Sequence, residues 1–164
     1  YHKSLSAGYY VVLNTTAAQS NTYNIFTTTL PTSTVFSMGT SAAGDGSVVA
    51  YCFAEIAGFS KFGSYTGNGS ADGPFVYTGF QPKFIMIKRT DSTSNWAMFD
   101  TARSPYNLKS ADLYANLSDA EAANAINPYI LSNGFKISHN LFRCRTRKVW
   151  HQRQKGLHNP CSGR

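Results

Sequence analysis

The chain is predicted to be all-β, an antiparallel β-sandwich, and three observations predict it. From Val48 to Asn107, short aromatic and β-branched runs alternate with turns rich in Gly, Asn, Ser and Asp, which is how consecutive antiparallel strands are written. The strand candidates number about nine or ten, as two packed sheets require. No self-similar period of about 20–50 residues occurs, which excludes a propeller or solenoid.

Taken in order, residues 8–13 (GYYVVL) predict a strand. Tyr9, Val11 and Leu13 share one face, with Tyr10 and Val12 on the other; both faces are apolar, so the strand is expected to be covered on both sides. After a polar loop, short strands are expected over 23–28 and 34–38, separated by Leu30 and Pro31, because Pro31 cannot donate to a ladder. Val48 to Ile56 carries the strongest strand pattern: Val49, Tyr51 and Phe53 on one face, Ala50, Cys52 and Ala54 on the other. Large residues against small predict a core strand, with Cys52 as a buried small hydrophobe.

Phe59 to Thr66 reads as the next strand, bulged near Gly63. Residues 66–74 (TGNGSADGP) must turn. Phe75 to Tyr77 is a short strand. Lys83 to Arg89 and Trp96 to Thr101 predict a hairpin, with Phe84 and Met86 opposed to Ile85 and Ile87, and Trp96, Met98 and Asp100 opposed to Ala97 and Phe99. Residues 119–125 have helical composition, with Ser118 as a cap and Pro128 as a stop. Asn133 and Gly134 form a turn, and Phe135 opens a last strand.

The 164 residues suffice for one domain with a real core. The chain begins at Tyr1, which predicts a fragment or processed product, and no apolar run is long enough to span a membrane. The net charge of +7 is unevenly placed. Residues 1–140 hold eight basic and eight acidic residues, and the excess comes from seven basic residues in the last 24. Two units follow: a β-sandwich domain at 1–140, and a basic tail at 141–164 with no acids and no strand grammar. Such a break is what a frame change or artificial junction produces. As a nucleic-acid arm the tail would act through Arg143, Arg145, Arg147 and Lys148, but a neutral body makes nucleic acid an unfavoured partner.

Three cysteines (Cys52, Cys144, Cys161) predict no disulfide scaffold, and the four histidines lack metal-ligand spacing, so no metal or cofactor is expected. There is no GxSxG elbow for serine hydrolysis. Glycoside hydrolysis needs paired carboxylates, whereas Glu55 and Asp100 each stand alone; Asp100 is expected to pair with Arg103. The Gly67–Gly73 loop lacks the Lys-Ser/Thr of a phosphate loop and reads as a plain turn, with calcium through Asn68 and Asp72 as its alternative. An enzyme is therefore not expected. Aromatic rings beside amides and acids can instead hold sugars, the ring as platform and the amides as orienting groups. The candidates are Tyr65, Asn68, Asp72, Tyr77, Asn95, Trp96, Tyr106 and Asn107.

The runs VAYCFAEIAGFSKFGSYTGNG at 49–69, GPFVYTGFQPKFIMIKRTDSTSNWAMFDTARSPYN at 73–107 and LSNGFKIS at 131–138 resemble a family of uncharacterised domains in tailed-phage structural proteins, common in marine phages and metagenomic sequences. HKSLSAGYYVVLNTTAAQ at 2–19 and PTSTVFSMG at 31–39 fit as well. The resemblance implies a concanavalin A-like lectin/glucanase jelly roll. It also implies a place in the virion, in the tail or tail fibre, extracellular when functional, with other virion or fibre subunits and host-surface glycans as partners. That family begins before this chain's first residue and closes on an aromatic strand where the basic tail stands, so the sandwich is expected to be incomplete at both ends.

Overall fold

The computed structural model describes residues 1–42, 46–107, 111–123, 127–138 and 147–152. Among these residues nine strands follow in chain order: β1 (Ser60–Tyr65), β2 (Asp72–Tyr77), β3 (Phe84–Arg89), β4 (Trp96–Asp100), β5 (Ala111–Tyr114), β6 (Ala122–Ala123), β7 (Asn127–Leu131), β8 (Gly134–Ser138) and β9 (Arg147–Gln152). The fold is all-β. Every ladder is antiparallel, and two sheets form, of order β1-β9-β3-β4-β5-β6 and β2-β8-β7.

Alternation along β3 and β4 decides which faces meet. Ile85 lies opposite Phe99 and Ile87 opposite Ala97, so these four side chains share one face of the large sheet. They pack on Ile130, Phe135 and Ile137 of the small sheet, with Tyr65, Val76 and Tyr114 at the margin. One apolar core therefore lies between the two sheets, and its burial is the main stabilising term. The β3–β4 hairpin carries the faces its alternation predicts.

The other face of the large sheet is covered by the N-terminal segment. Lys88, fully buried, donates from Nζ to the Thr16 carbonyl at 2.9 Å and the Ser94 carbonyl at 2.7 Å. The Trp96 indole donates to the Val12 carbonyl at 2.9 Å. Backbone bonds from Gln19 to Thr90 and from Ser94 to Thr16 complete the attachment. A charge at this depth needs such acceptors.

Several expectations are corrected. Residues 8–13 form no strand; they join residue 20 by one bridge, Tyr10 to Ser20, and the 23–28 and 34–38 segments by another, Phe26 to Met38. Val48 to Ile56 stays outside both sheets, with its large residues exposed and Cys52 an exposed free thiol. Ladder pairing through Gly63 is continuous, and the register shift lies in β2 between Asp72 and Phe75. Where a helix was expected over 119–125, residues 119–121 are irregular and Ala122–Ala123 pair as β6; residues 124–125 lie outside the described set. Pro128 sits in β7, an edge strand, where its missing N–H costs no ladder bond. β9 belongs to the basic stretch set apart from the fold, yet its backbone joins β1 to β3. No helix among the described residues is long and apolar enough to cross a membrane.

Candidate ligand-binding face

The small sheet has one face in the core and one toward solvent. The strand register sets its rows. Val76, Phe135 and Ile130 form the inner row. Phe75, Lys136 and Tyr129 form one outer row, and Tyr77, Gly134 and Leu131 the next. Phe75 and Tyr77 are both exposed, Tyr77 to 65 %. Gly134 shapes this surface: a Cβ there would stand 2.7 Å from the Phe75 ring and 2.2 Å from the Val76 carbonyl. Only glycine lets the Phe75 ring lie over β8.

A polar rim adjoins the rings. Lys136 forms an ion pair with Asp72. The 66–71 turn is held by its own side chains. Asn68 accepts from the Ser70 amide at 3.1 Å and donates to the Asp72 carbonyl at 2.8 Å, while Ser70 Oγ accepts from the Asp72 amide at 3.1 Å. On the opposite edge, Asn107 clamps β7: its Oδ1 accepts from the Ile130 amide and its Nδ2 donates to the Ile130 carbonyl, both at 3.0 Å. This amide copies a neighbouring strand and fixes Tyr106, 84 % exposed, beside the same sheet.

The structure thus gathers Asn68, Asp72, Tyr77, Tyr106 and Asn107 around the small sheet and separates the other three candidates. Trp96 is 3 % exposed beneath the N-terminal segment, so it cannot serve as a surface platform. Asn95 accepts from Asn116 Nδ2 at 2.9 Å, and Asn116 Oδ1 in turn accepts from the Trp96 amide at 2.7 Å, which makes Asn95 part of the hairpin's scaffold. Tyr65 packs edge-on to Phe135 at 6.5 Å, at the margin of the core. Phe75, Tyr129 and Lys136 were missed. The signal was available in part: Phe75 alternates with Val76 just as Tyr77 does, but pairing with Lys136 and Tyr129 is a long-range fact.

The carboxylates serve other ends. Burial pushes Glu55 up, but the hydrogen bond from Lys3 at 2.7 Å, the Phe62 amide and the charges of Lys3 and Lys61 outweigh it and hold it below the usual range. Burial likewise pushes Asp100 up, and is outweighed by the Arg103 amide, its guanidinium at 2.6 Å and the Ala102 amide. The expected Asp100–Arg103 pair is present, and Arg103 also reaches Glu121 at 2.9 Å and the Ala111 carbonyl at 3.0 Å. Both acids are held as anions by cations, so neither is poised as the proton donor of a glycosidase. Asp112 is the exception: 1 % exposed, it is pushed by burial to about 7, with the Arg103 charge and a Tyr114 hydrogen bond pulling the other way. Its burial keeps it from any substrate.

Among the described residues, no group of three His, Cys, Asp or Glu could hold a metal ion. Arg143 and Arg145 lie outside the described residues, while Arg147 and Lys148 open β9, at the register positions of Arg89 and Lys88. No curated protein and no solved structure matches the chain. A family model, the domain of unknown function DUF7483, matches residues 1–144, which takes in both edges and all the side chains of the face just described. The chain belongs to the DUF7483 family.

Proposed function

We propose that this chain is a non-enzymatic binding and scaffold domain of a phage virion, of concanavalin A-like sandwich topology, that takes host-surface glycans on the solvent face of the small sheet. The observation that carries the reading is the pair of exposed rings, Phe75 and Tyr77, laid on a rigid sheet and bordered by the Asp72–Lys136 ion pair. An apolar ring covers the C–H face of a pyranose, and the charged groups accept and donate to its hydroxyls. Tyr106, exposed at the β7 edge next to Asn107, is a further ring beside the same sheet. The phage setting is supported by the resemblance of the 49–69 and 73–107 runs to tail-protein domains.

A glycan array followed by titration calorimetry tests this. Tyr77→Ala and Lys136→Ala should each weaken binding of the best hit by about tenfold or more, while thermal unfolding stays near wild type for Tyr77→Ala. Binding that survives both substitutions rejects this face as the site, and no binding by any glycan leaves a pure scaffold.

A further inference from the structure

The chain contains two Asn-Gly steps, Asn68–Gly69 and Asn133–Gly134. Such a step can react with itself: the glycine amide nitrogen attacks the asparagine side-chain carbonyl, because no Cβ on the glycine stands in the way. The reaction needs a peptide unit that can turn toward that carbonyl, and the structure treats the two steps in opposite ways. The Asn133–Gly134 peptide is pinned. Its carbonyl accepts from the Thr78 amide at 3.0 Å and from the Gly79 amide at 3.2 Å. Gly134 is buried, opens β8 and is paired with Leu131 on one side and Tyr77 on the other, and the Val76 carbonyl and the Phe75 ring close over it. The Asn68–Gly69 peptide has none of these restraints. Both residues are exposed, in the turn between β1 and β2. Among the described residues, neither the Asn68 carbonyl nor the Gly69 amide makes a hydrogen bond. Gly69 has a φ of +70°, and a Cβ there would meet nothing within 4 Å.

We propose that Asn68 is a self-modification site, converting through a cyclic imide to aspartate and isoaspartate with water as its only co-reactant. The side chain is set for attack. Asn68 Oδ1 accepts from the Ser70 amide at 3.1 Å, an Asx turn that folds the side chain back over its own peptide. The same amide donates to the oxygen on which negative charge gathers as the bond forms. In the step, the Gly69 nitrogen gives its proton to solvent and bonds to Asn68 Cγ. The Cγ–Nδ2 bond breaks, and the nitrogen takes a proton from solvent and leaves as ammonia. Water then opens the imide at either carbonyl, leaving a carboxylate at position 68 on a normal or a lengthened main chain. That product no longer fits its turn. Asn68 Nδ2 donates to the Asp72 carbonyl at 2.8 Å, whereas an ionised oxygen in its place has no proton to offer and repels that carbonyl. The modification therefore opens the 66–71 turn ahead of β2.

The test uses the full chain and does not depend on carbohydrate binding. The folded protein is held in mildly alkaline buffer for days to weeks, beside the same chain unfolded in urea, and conversion at each asparagine is read by peptide mapping with mass spectrometry. In the folded chain Asn68 should convert about tenfold faster than Asn133 or more, the ratio that a barrier difference of about 1.4 kcal/mol gives. In urea the two rates should converge, since neither peptide is then restrained. Asn68→Asp makes the product directly. It should keep the far-UV spectrum and speed proteolysis within residues 66–71 by about two- to tenfold, the population shift that losing one hydrogen bond gives. Equal rates at the two sites in the folded chain, faster conversion at Asn133, or no conversion at Asn68 overturns the proposal. So does an Asn133 that stays slow in urea, because its protection would then not come from the fold. An Asn68→Asp variant cleaved no faster than wild type overturns the opening of the turn.

Discussion

β3 and the Val48–Ile56 segment are written alike, yet β3 is paired on both edges with its core face buried, whereas the segment lies outside both sheets and is exposed. β3 has β9 on one edge and β4 on the other, the small sheet against Ile85 and Ile87, and the N-terminal segment over Lys88 and Trp96 of its hairpin. Among the described residues, the 48–56 segment meets β1 at its end, through the Ile56–Ser60 bridge and the Phe53 ring near Phe62, and Val48 to Tyr51 join no ladder. Alternation says which residues will share a face. It does not say whether a partner arrives to cover that face, since partners come from distant parts of the chain.

That contrast can be broken at its buried end first. Phe99→Ala empties the centre of the core and should cost about 3–5 kcal/mol in urea unfolding, whereas Tyr51→Ala should change stability by less than about 0.5 kcal/mol at a protein concentration where the chain is monomeric. Equal costs would show that the Val48–Ile56 segment is packed in solution. Lys88→Met comes next. It leaves the Thr16 and Ser94 carbonyls without their donor at a buried site and should cost about 2–3 kcal/mol, with faster proteolysis within residues 12–20.

A smaller effect, about 1–3 kcal/mol, is expected from Asp112→Asn, and it depends on pH. The folded-state value of about 7 lies above the unfolded one, so the folded protein holds the extra proton between pH 4 and 7. Wild-type stability should then fall as pH rises through that window, and Asp112→Asn should be the more stable form at pH 8, the gap closing toward pH 4. Chemical denaturation at pH 4.5 and pH 8 checks it; a gap that widens on acidification overturns it. The smallest effect is at the rim of the candidate face. Asp72→Asn removes an exposed ion pair and should shift stability by no more than about 0.5 kcal/mol, measured in the same unfolding assay.

Much of the fold was legible locally. The β3–β4 hairpin, the strand cores at 60–65 and 75–77, the first six residues of the turn expected over 66–74 (the last three open β2) and the Asp100–Arg103 pair all rest on short-range signals: alternation, turn residues, a carboxylate three positions before a guanidinium. The strands expected over 8–13, 23–28, 34–38 and 48–56 failed to form for one reason. Their apolar alternation is real, but Tyr10 and Phe26 make single bridges rather than ladders, so strands did not follow. The helix over 119–125 failed because composition is a weak prior and pairing of Ala122–Ala123 with β5 overrides it. Of the candidate face, the grouping of Tyr77, Asp72 and Asn68 was legible because rings and amides cluster in sequence there. Trp96 was misplaced because an indole with an amide neighbour looks the same from the sequence whether it faces a sugar or a main-chain carbonyl.

The clamp of Asn107 on Ile130 has a consequence for assembly. An outer strand normally offers a row of vacant donors and acceptors to any passing chain. On β7 the Ile130 pair of groups is already taken, and Pro128 two residues earlier has no N–H to offer. Along the described part of β7 a foreign strand would find these positions unable to pair fully, so this flank is a poor template for fibrils.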